Sequence, residues 1–269
     1  MKNNIFVTYG DGSKGWHDAK KRITYEANIS GEFDYVFGLD DKWLKSWNYG
    51  TYRAMRQIQG LHGRRGHGYW VWKSSVLVWA DLLFPNHQIV YVDAGSRFNF
   101  YSKSMQSELS SWLQNATLHG GLAWQLARFQ EKFWTKRELV DLLKPSPEIL
   151  NSGQIQSGFI VLPPSKARRG FLQQWQAISQ SSNLFFLTDE LREEQILGFV
   201  EHRHDQSIFS LLWKMYELPY FEDLTDPSES PHSPILATRN NTGLPLGAAR
   251  WKIDLVSRRN LLIDLCKIN

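Results

Sequence analysis

The sequence predicts one α/β domain built on a mostly parallel, open sheet flanked by helices. Short apolar or β-branched runs alternate with helical periodicity along most of the chain, which is the pattern of parallel strands joined by crossover helices. The 269 residues suffice for one large domain, and no linker rich in Pro, Gly or Ser divides them in the middle. We therefore expect one domain over residues 1–269, in which residues 217–269 are a less well defined C-terminal extension.

The N-terminal part predicts a strand-helix-strand unit. Residues 5–8 form an apolar, β-branched run that ends in a loop containing Gly and Asp. Apolar residues recur every four positions between 18 and 28, as on one face of a helix, and residues 33–38 predict a second strand. Residues 41–60 are expected to be helical with a break near Gly50, and the glycine-rich residues 60–68 to be a mobile loop.

The remaining elements continue the alternation. A helix capped by Ser74 or Ser75 and ending at Leu83 should precede a strand over residues 88–93. Thr135 and Glu138 have the spacing of a capping box that opens a helix to residue 143. A strand over 155–162 and helices over 165–179 and 207–216 follow. In such sheets ligands bind beyond the carboxyl ends of the strands, so this edge is where a site is expected.

Charge and cysteine content restrict the classes of partner. The chain carries 31 Lys+Arg and 27 Asp+Glu, a net charge of +4, and its basic residues are scattered. This favours an anionic ligand over nucleic acid, which usually requires a concentrated basic stripe. The sole cysteine excludes an internal disulfide and fits a reducing compartment. Without a signal-peptide pattern or an apolar run of ~20 residues, we expect a cytoplasmic protein with peripheral membrane contact at most.

Two charged residues stand where chemistry is expected. Asp93 ends an apolar strand and is followed by Ala94 and Gly95, so its carboxylate could bind the metal of a diphosphate, or it could only shape a turn. Lys73 lies near a helix start behind the glycine-rich loop. It could offset a phosphate charge, or it could be a solvated lysine beside two buried tryptophans.

Polar residues in two further segments need partners. Gln156 and Ser157 interrupt an apolar strand, and sugar hydroxyls or a neighbouring loop could satisfy them. His202 and His204 have a spacing compatible with metal ligation, and Asp205 beside them could be a helix N-cap, a functional carboxylate or both. The chain also has twelve tryptophans, whose rings fill cores and stack on sugars or bases.

The order of these motifs resembles that of bacterial and phage glycosyltransferase-like proteins of the GT-A fold and, more distantly, the family-eight, glycogenin-like transferases. The resemblance covers residues 5–216 and implies a donor-binding set composed of Thr8, Tyr9, Lys73, Asp93, Gly95 and Ser157. It implies a catalytic set on the sugar and acceptor side composed of Gln156, Asp205 and Gln206. His232 and Arg239 are candidates for phosphate contact from their residue type alone.

The resemblance implies transfer of a sugar from a nucleoside diphosphate donor to a hydroxyl of a glycan or lipid-linked glycan. Gly95 stands where the aspartate motif has a second acid, so one metal ligand is missing. A divalent cation, Mn or Mg, is expected on Asp93 with His204 or His232; an enzyme without metal would use Lys73 and arginines instead.

Two alternatives remain open. A DNA-modifying glycosyltransferase acting on a modified base would contact phosphates with residues 63–66, and a non-catalytic carbohydrate-binding protein would use the tryptophans. Residues 249–268 mix basic and apolar side chains and predict either a helix packed on the core or a membrane-surface helix.

Overall fold

The computed structural model describes residues 3–63, 65–99 and 103–239, so the predictions for residues 249–268 lie outside the described residues. The strands of the described chain are β1 (Asn4–Tyr9), β2 (Tyr35–Leu39), β3 (Gln88–Val92), β4 (Arg97–Phe98), β5 (Trp124–Gln130), β6 (Gly153–Ile155), β7 (Phe159–Leu162), β8 (Phe221–Glu222) and β9 (Ile235–Leu236). Its helices are α1 (Lys14–Ser30), α2 (Asp41–Trp47), α3 (Tyr49–His62), α4 (Gly66–Tyr69), α5 (Trp72–Leu83), α6 (Lys103–His119), α7 (Glu131–Trp134), α8 (Arg137–Leu143), α9 (Pro147–Asn151), α10 (Lys166–Gln180) and α11 (His204–Met215), with a 3-10 helix at Ser182–Leu187.

The main sheet has four strands in the order β2-β1-β3-β7. Strands β2, β1 and β3 are parallel, and β7 is antiparallel to β3. A three-stranded sheet has the order β6-β5-β8, and β4 pairs with β9. The predicted α/β class with an open, mostly parallel sheet flanked by helices is confirmed.

Both faces of the main sheet are covered. Successive side chains of a strand point to opposite faces, so Ile5 and Ile89 join one apolar cluster and Phe6 and Val90 join another. The first cluster includes residues of α5, α10 and α11, and the second includes residues of α1 and α6. Since helices bury both faces, the carboxyl edge of the parallel strands is the part of the sheet left open to a ligand.

The predicted strand over residues 155–162 is two strands. Strand β6 belongs to the three-stranded sheet and β7 to the main sheet, with residues 156–158 between them. The side chain of Gln156 donates to Asp223 and Thr225, and the hydroxyl of Ser157 donates to Asp205. The strand breaks here because its polar side chains find partners outside the main sheet.

Some predicted helix boundaries are wrong. The Thr135 hydroxyl donates to Glu131 instead of capping a helix, and α8 begins two residues later at Arg137. The Glu138 carboxylate accepts backbone N–H groups of another segment, residues 192 and 193. Helix α5 begins at Trp72, ahead of the predicted serine caps.

Part of the segment predicted as a mobile loop, residues 60–68, lies in α3 and in the short α4, and residue 64 lies outside the described residues. Helix α3 continues to His62, and five successive residues from Gly66 to Trp70 have positive φ. Among them Tyr69 donates its hydroxyl to Asp189 at 2.9 Å, and the Trp70 ring stacks on His204. A left-handed conformation costs about 1–2 kcal/mol for each residue with a Cβ, so these contacts hold a strained segment.

No helix among the described residues combines the length and the apolar character that crossing a membrane requires.

Candidate active site

The ammonium group of Lys73 is the centre of a buried polar network. The lysine lies in the first turn of α5 and is only 1 % exposed. Its Nζ lies 3.0 Å from Oδ2 of Asp205 and 3.2 Å from Oδ1 of Asp93. It also donates to the hydroxyl of Ser157 at 3.1 Å and to its carbonyl at 3.2 Å. The interpretation of Lys73 as a solvated lysine is therefore wrong.

The fold brings the members of this network together from distant segments. Asp93 directly follows β3, and Ser157 lies just before β7, the antiparallel neighbour of β3. The Asp93 N–H donates to the carbonyl of Gly158 at 2.8 Å, which continues the pairing of the two strands. Asp205 lies in the first turn of α11, where its carboxylate accepts the Ser157 hydroxyl at 2.8 Å.

Asp205 does not cap its helix. Helix α11 begins at His204, its N-cap residue is Arg203, and no side-chain hydrogen bond caps it. The carboxylate instead reaches Ser157 and Lys73 and is 4 % exposed. The interpretation of Asp205 as a helix N-cap is therefore wrong, and its carboxylate is held in the network around Lys73.

The electrostatics of the network keep Lys73 charged. Burial by itself lowers the pKa of Lys73, but attraction to Asp205 and Asp93 outweighs burial, and its pKa lies above the ordinary value. The Tyr91 hydroxyl donates to Oδ1 of Asp93 at 2.6 Å, and burial followed by the charge of Asp93 raises the pKa of Tyr91 well above its ordinary value. Both groups therefore remain donors, and the network carries two carboxylates for one ammonium.

Oδ2 of Asp93 is the open side of that carboxylate. Within the described part of the chain it accepts no hydrogen bond, and the side chain is 37 % exposed. A Cβ at Gly158 would lie 3.1 Å from Oδ2, so the glycine leaves room beside the oxygen. The interpretation in which Asp93 only shapes a turn is incomplete, because its side chain pairs with Lys73 and faces a cavity.

The cavity has a volume of about 950 Å³ and is lined by Lys73, Asp93 and Asp205. Aromatic rings also line it, namely those of Tyr9, Trp16, Trp70, Trp72 and Phe129. Arginines contribute as well, namely Arg65, Arg128, Arg203 and Arg239. Its size is that of a site for a small molecule, and its lining combines these aromatic rings with many charged and polar side chains.

Other proteins were compared with this chain at the level of sequence and of structure. No protein-family model matches the sequence, and no curated protein matches it. The solved structures that are similar to this chain include the following two. One is the crystal structure of mouse xyloside xylosyltransferase 1 in its apo form, with 12% identity and a TM-score of 0.43 over 90% of this chain and 100% of that chain. The other is a glycosyltransferase involved in the glycosylation of the major capsid of PBCV-1, with 10% identity and a TM-score of 0.48 over 97% of this chain and 98% of that chain. Likenesses this distant assign no activity to the chain, because one fold hosts many activities.

Of the other residues in the predicted donor set, Tyr9 and Gly95 line the cavity and Thr8 does not. Tyr9 ends β1, lines the cavity, stacks on Trp72 with ring centroids 4.1 Å apart and donates its hydroxyl to Asp41. Thr8 is fully buried and does not line the cavity, so the structure does not bring it to the site. Gly95 lines the cavity, and a Cβ there would lie 3.2 Å from the Cα of Arg239.

The predicted glutamines line the cavity and are held by neighbours. Gln156 donates to Asp223 at 2.9 Å and to Thr225 at 2.7 Å, and Gln206 donates to Gln154 at 2.8 Å. These bonds use the amide nitrogens and fix the orientation of both side chains at the cavity wall.

A group of three potential metal ligands, which local sequence patterns do not bring together, lies beside the cavity. One ligand atom each of Asp11, Asp41 and His67 lies within 4.8 Å of the others. His67 Nε2 is 2.8 Å from Asp41. Burial raises the pKa of Asp41, but the hydrogen bonds from His67 and Tyr9 outweigh burial and leave the pKa below its ordinary value. Asp11 and His67 also line the large cavity. Two carboxylates and an imidazole suit a divalent cation such as Mn.

The predicted metal pair, Asp93 with His204, does not belong to that group. Nδ1 of His204 lies 2.7 Å from the Leu187 carbonyl, which assigns the proton to Nδ1. Its Nε2 lies 3.8 Å from Asp189, and Asp93 is paired with Lys73. Among the described residues, Asp11, Asp41 and His67 are the group in which three potential ligand atoms lie within 4.8 Å of one another.

Proposed function

We propose that this protein is a glycosyltransferase that moves a sugar from a nucleoside diphosphate sugar to a hydroxyl of a glycan or lipid-linked glycan. The observation that carries the proposal is the pair of carboxylates, Asp93 and Asp205, held by one buried ammonium at the wall of a large cavity with aromatic sides. A sugar losing its diphosphate develops positive charge at its anomeric carbon, and fixed carboxylates stabilise that charge.

Asp205 is the residue proposed to act on the sugar or on the incoming hydroxyl. Its Oδ2 is used by Ser157 and Lys73, whereas Oδ1 has no hydrogen bond to the described residues. A carboxylate fixed on one oxygen and open on the other is pre-organised, which lowers the cost of reaching the reactive geometry. Gln156 and Gln206 are proposed to orient sugar hydroxyls beside it.

We assign a divalent cation to Asp11, Asp41 and His67, whose ligand atoms lie close enough for one ion. Bound there, it would supply positive charge toward the diphosphate leaving group. Asp93 and His204 are the less favoured pair, because one oxygen of Asp93 already receives Lys73 and Tyr91.

The nucleic-acid alternative gains no support from the described part of the glycine-rich loop. Arg65 lies 3.2 Å from Asp189 and 3.7 Å from Glu201, so its charge is already matched by acids of this chain. A nucleic-acid contact would need a basic group free to meet a phosphate.

The proposal is tested with a panel of nucleotide sugars, with and without Mn, by measuring release of nucleoside diphosphate. Asp93→Asn and Asp205→Asn should each lower turnover at least about 100-fold while the protein still unfolds cooperatively. Asp141→Asn is the matched control, because that acid pairs with Arg137 on exposed α8. Near-normal turnover in the Asp93 and Asp205 variants would overturn the assignment, and glycan binding without any nucleotide affinity would indicate a non-catalytic sugar-binding protein.

A further inference from the structure

Lys73 cannot hold a phosphate in this structure. Its three N–H groups are shared among Asp93, Asp205 and two oxygens of Ser157, all within 3.2 Å. The two carboxylates around it outnumber its single charge, so this wall of the cavity repels an anion. An anionic substrate must therefore find its positive charge elsewhere in the cavity.

Arg203 has an unused donor. The residue lies at the start of α11, lines the cavity, and has its guanidinium carbon 4.3 Å from the centroid of the Phe129 ring. Its Nη1 is buried and has no hydrogen-bond partner among the residues that the structure describes. A buried N–H of a guanidinium rarely goes unsatisfied, so a missing acceptor is indicated at this position.

Two more arginines lie near Arg203. The guanidinium carbon of Arg128 lies 5.0 Å from the centroid of the same Phe129 ring, and its nearest acid is Asp226 at 3.6 Å. Arg239 lines the same cavity beside Gly95. Burial, followed by the charge of Arg239 and then of Arg128, lowers the pKa of Arg203, although Glu201 and Asp205 oppose this. The charges of Arg128 and Arg239 thus repel that of Arg203. Three guanidinium groups that line one cavity fit a ligand with concentrated negative charge.

We propose that Arg203, assisted by Arg128 and Arg239, binds the anionic group of the substrate, and that Lys73 does not. The chemistry required is that of a phosphate or diphosphate, which a guanidinium binds through parallel N–H groups. Two sources can supply it: the diphosphate of the donor, or an acidic group on the acceptor. This inference rests on the proposed function, because it names the part of the cavity where the charge of the substrate is held.

The first experiment measures binding of inorganic pyrophosphate by calorimetry, without any sugar. Arg203→Gln should raise the Kd for pyrophosphate at least about tenfold. The affinity of Arg203→Lys should lie between that of Arg203→Gln and that of the wild type. Arg137→Gln is the control, because that exposed arginine pairs with Asp141 outside the cavity. Arg128→Gln is a second test variant, and we expect it to fold normally because the Arg128 side chain is 65% exposed.

Unchanged pyrophosphate affinity in both the Arg203→Gln and Arg128→Gln proteins would overturn the inference, as would a wild-type protein that binds no pyrophosphate. If affinity falls but no nucleotide sugar is turned over, the anion subsite stands and the glycosyltransferase proposal fails. If nucleotide sugar is turned over but neither Arg203→Gln nor Arg128→Gln changes the pyrophosphate affinity, the glycosyltransferase proposal stands and the anion-subsite inference fails.

A second measurement identifies the source of the anion. In wild-type and Arg203→Gln proteins the KM is measured separately for the donor and for neutral and acidic acceptors. A rise confined to the donor supports the inference with the donor diphosphate as the ligand. A rise confined to acidic acceptors supports it with the acceptor as the source. No change in any KM contradicts it.

Discussion

Lys73 and Asp205 form a buried ion pair, 3.0 Å from Nζ to Oδ2, that joins the first turn of α5 to the first turn of α11. The same ammonium holds Asp93 at the end of β3. A single buried cation thus fixes two carboxylates from different elements, and the stability of the fold is linked to the geometry of the candidate site.

Removing this cation should destabilise the protein strongly. Lys73→Met leaves Asp93 and Asp205 close together without a counter-charge, and breaking a buried pair in this way costs about 3–5 kcal/mol. Urea unfolding measures the free energy. The double variant Lys73→Met with Asp205→Asn should recover part of the loss, because one of the unpaired charges is gone. A single variant that loses less than about 1 kcal/mol would contradict the importance of the pair.

Filling the space beside Asp93 should impair activity more than stability. In Gly158→Ala the new Cβ would lie 3.1 Å from Oδ2 of Asp93 and 3.4 Å from Oε1 of Gln156. We expect turnover of a nucleotide sugar to fall at least about tenfold, since small displacements of reacting groups have large effects on rate. The melting temperature should change by only a few degrees. Equal turnover of variant and wild type would show that the open oxygen of Asp93 is not used.

Two other glycines should respond oppositely to the same substitution. Gly60 lies within α3 with nothing within 4 Å of a new Cβ, so Gly60→Ala should stabilise the protein by about 0.5–1 kcal/mol. At Gly153 the Cβ would lie 2.5 Å from the Leu126 carbonyl and force β6 away from β5, so Gly153→Ala should cost about 1–3 kcal/mol. Denaturant unfolding measures the free energy of unfolding of both variants. Changes of the same sign in the two variants would contradict the prediction.

Acid should weaken the fold through His202. Burial, followed by the charge of Lys136, lowers the pKa of His202 well below the ordinary value of 6.5. Its Nε2 lies 2.8 Å from the Phe186 carbonyl, and its Nδ1 accepts the Lys136 N–H. The ring is therefore neutral when folded, and only the unfolded chain takes up its proton as the pH falls below 6.5.

The free energy of unfolding should accordingly drop by about 1.4 kcal/mol per pH unit below that point for this histidine. His202→Gln should remove that part of the slope in denaturant unfolding between pH 7 and pH 5, whereas His119→Gln, at the exposed end of α6, should not. An unchanged slope in the His202 variant would contradict this assignment.

The proposed cation should stabilise the folded protein, because a ligand that binds only the folded state raises the free energy of unfolding. At a free cation concentration 100 times the Kd, the free energy of unfolding rises by about 2.7 kcal/mol. Mn should therefore raise the melting temperature of the wild type but not of Asp11→Asn or Asp41→Asn. Equal shifts in all three proteins would place the ion outside the group of Asp11, Asp41 and His67.

Much of the fold was predictable because its signals are local. The strand-helix alternation, the strand ending at Asp93 and the amphipathic α11 follow from short-range periodicity. Lys73, Asp93 and Asp205 were recognisable as candidates because each lies where a regular element begins or ends. Asp11 and Asp41 were not singled out, although they closely follow β1 and β2 and the carboxyl ends of parallel neighbours meet at one edge.

The sequence alone therefore determined the α/β class, the open parallel sheet and the individual polar residues at its carboxyl edge. Only the tertiary structure decided that Lys73 is buried between Asp93 and Asp205, that strand 155–162 divides, and that His67 reaches Asp41 from a left-handed turn. The physical reason is that each of these depends on partners far along the chain. Burial and charge pairing are properties of the neighbours in space, which local sequence patterns do not specify.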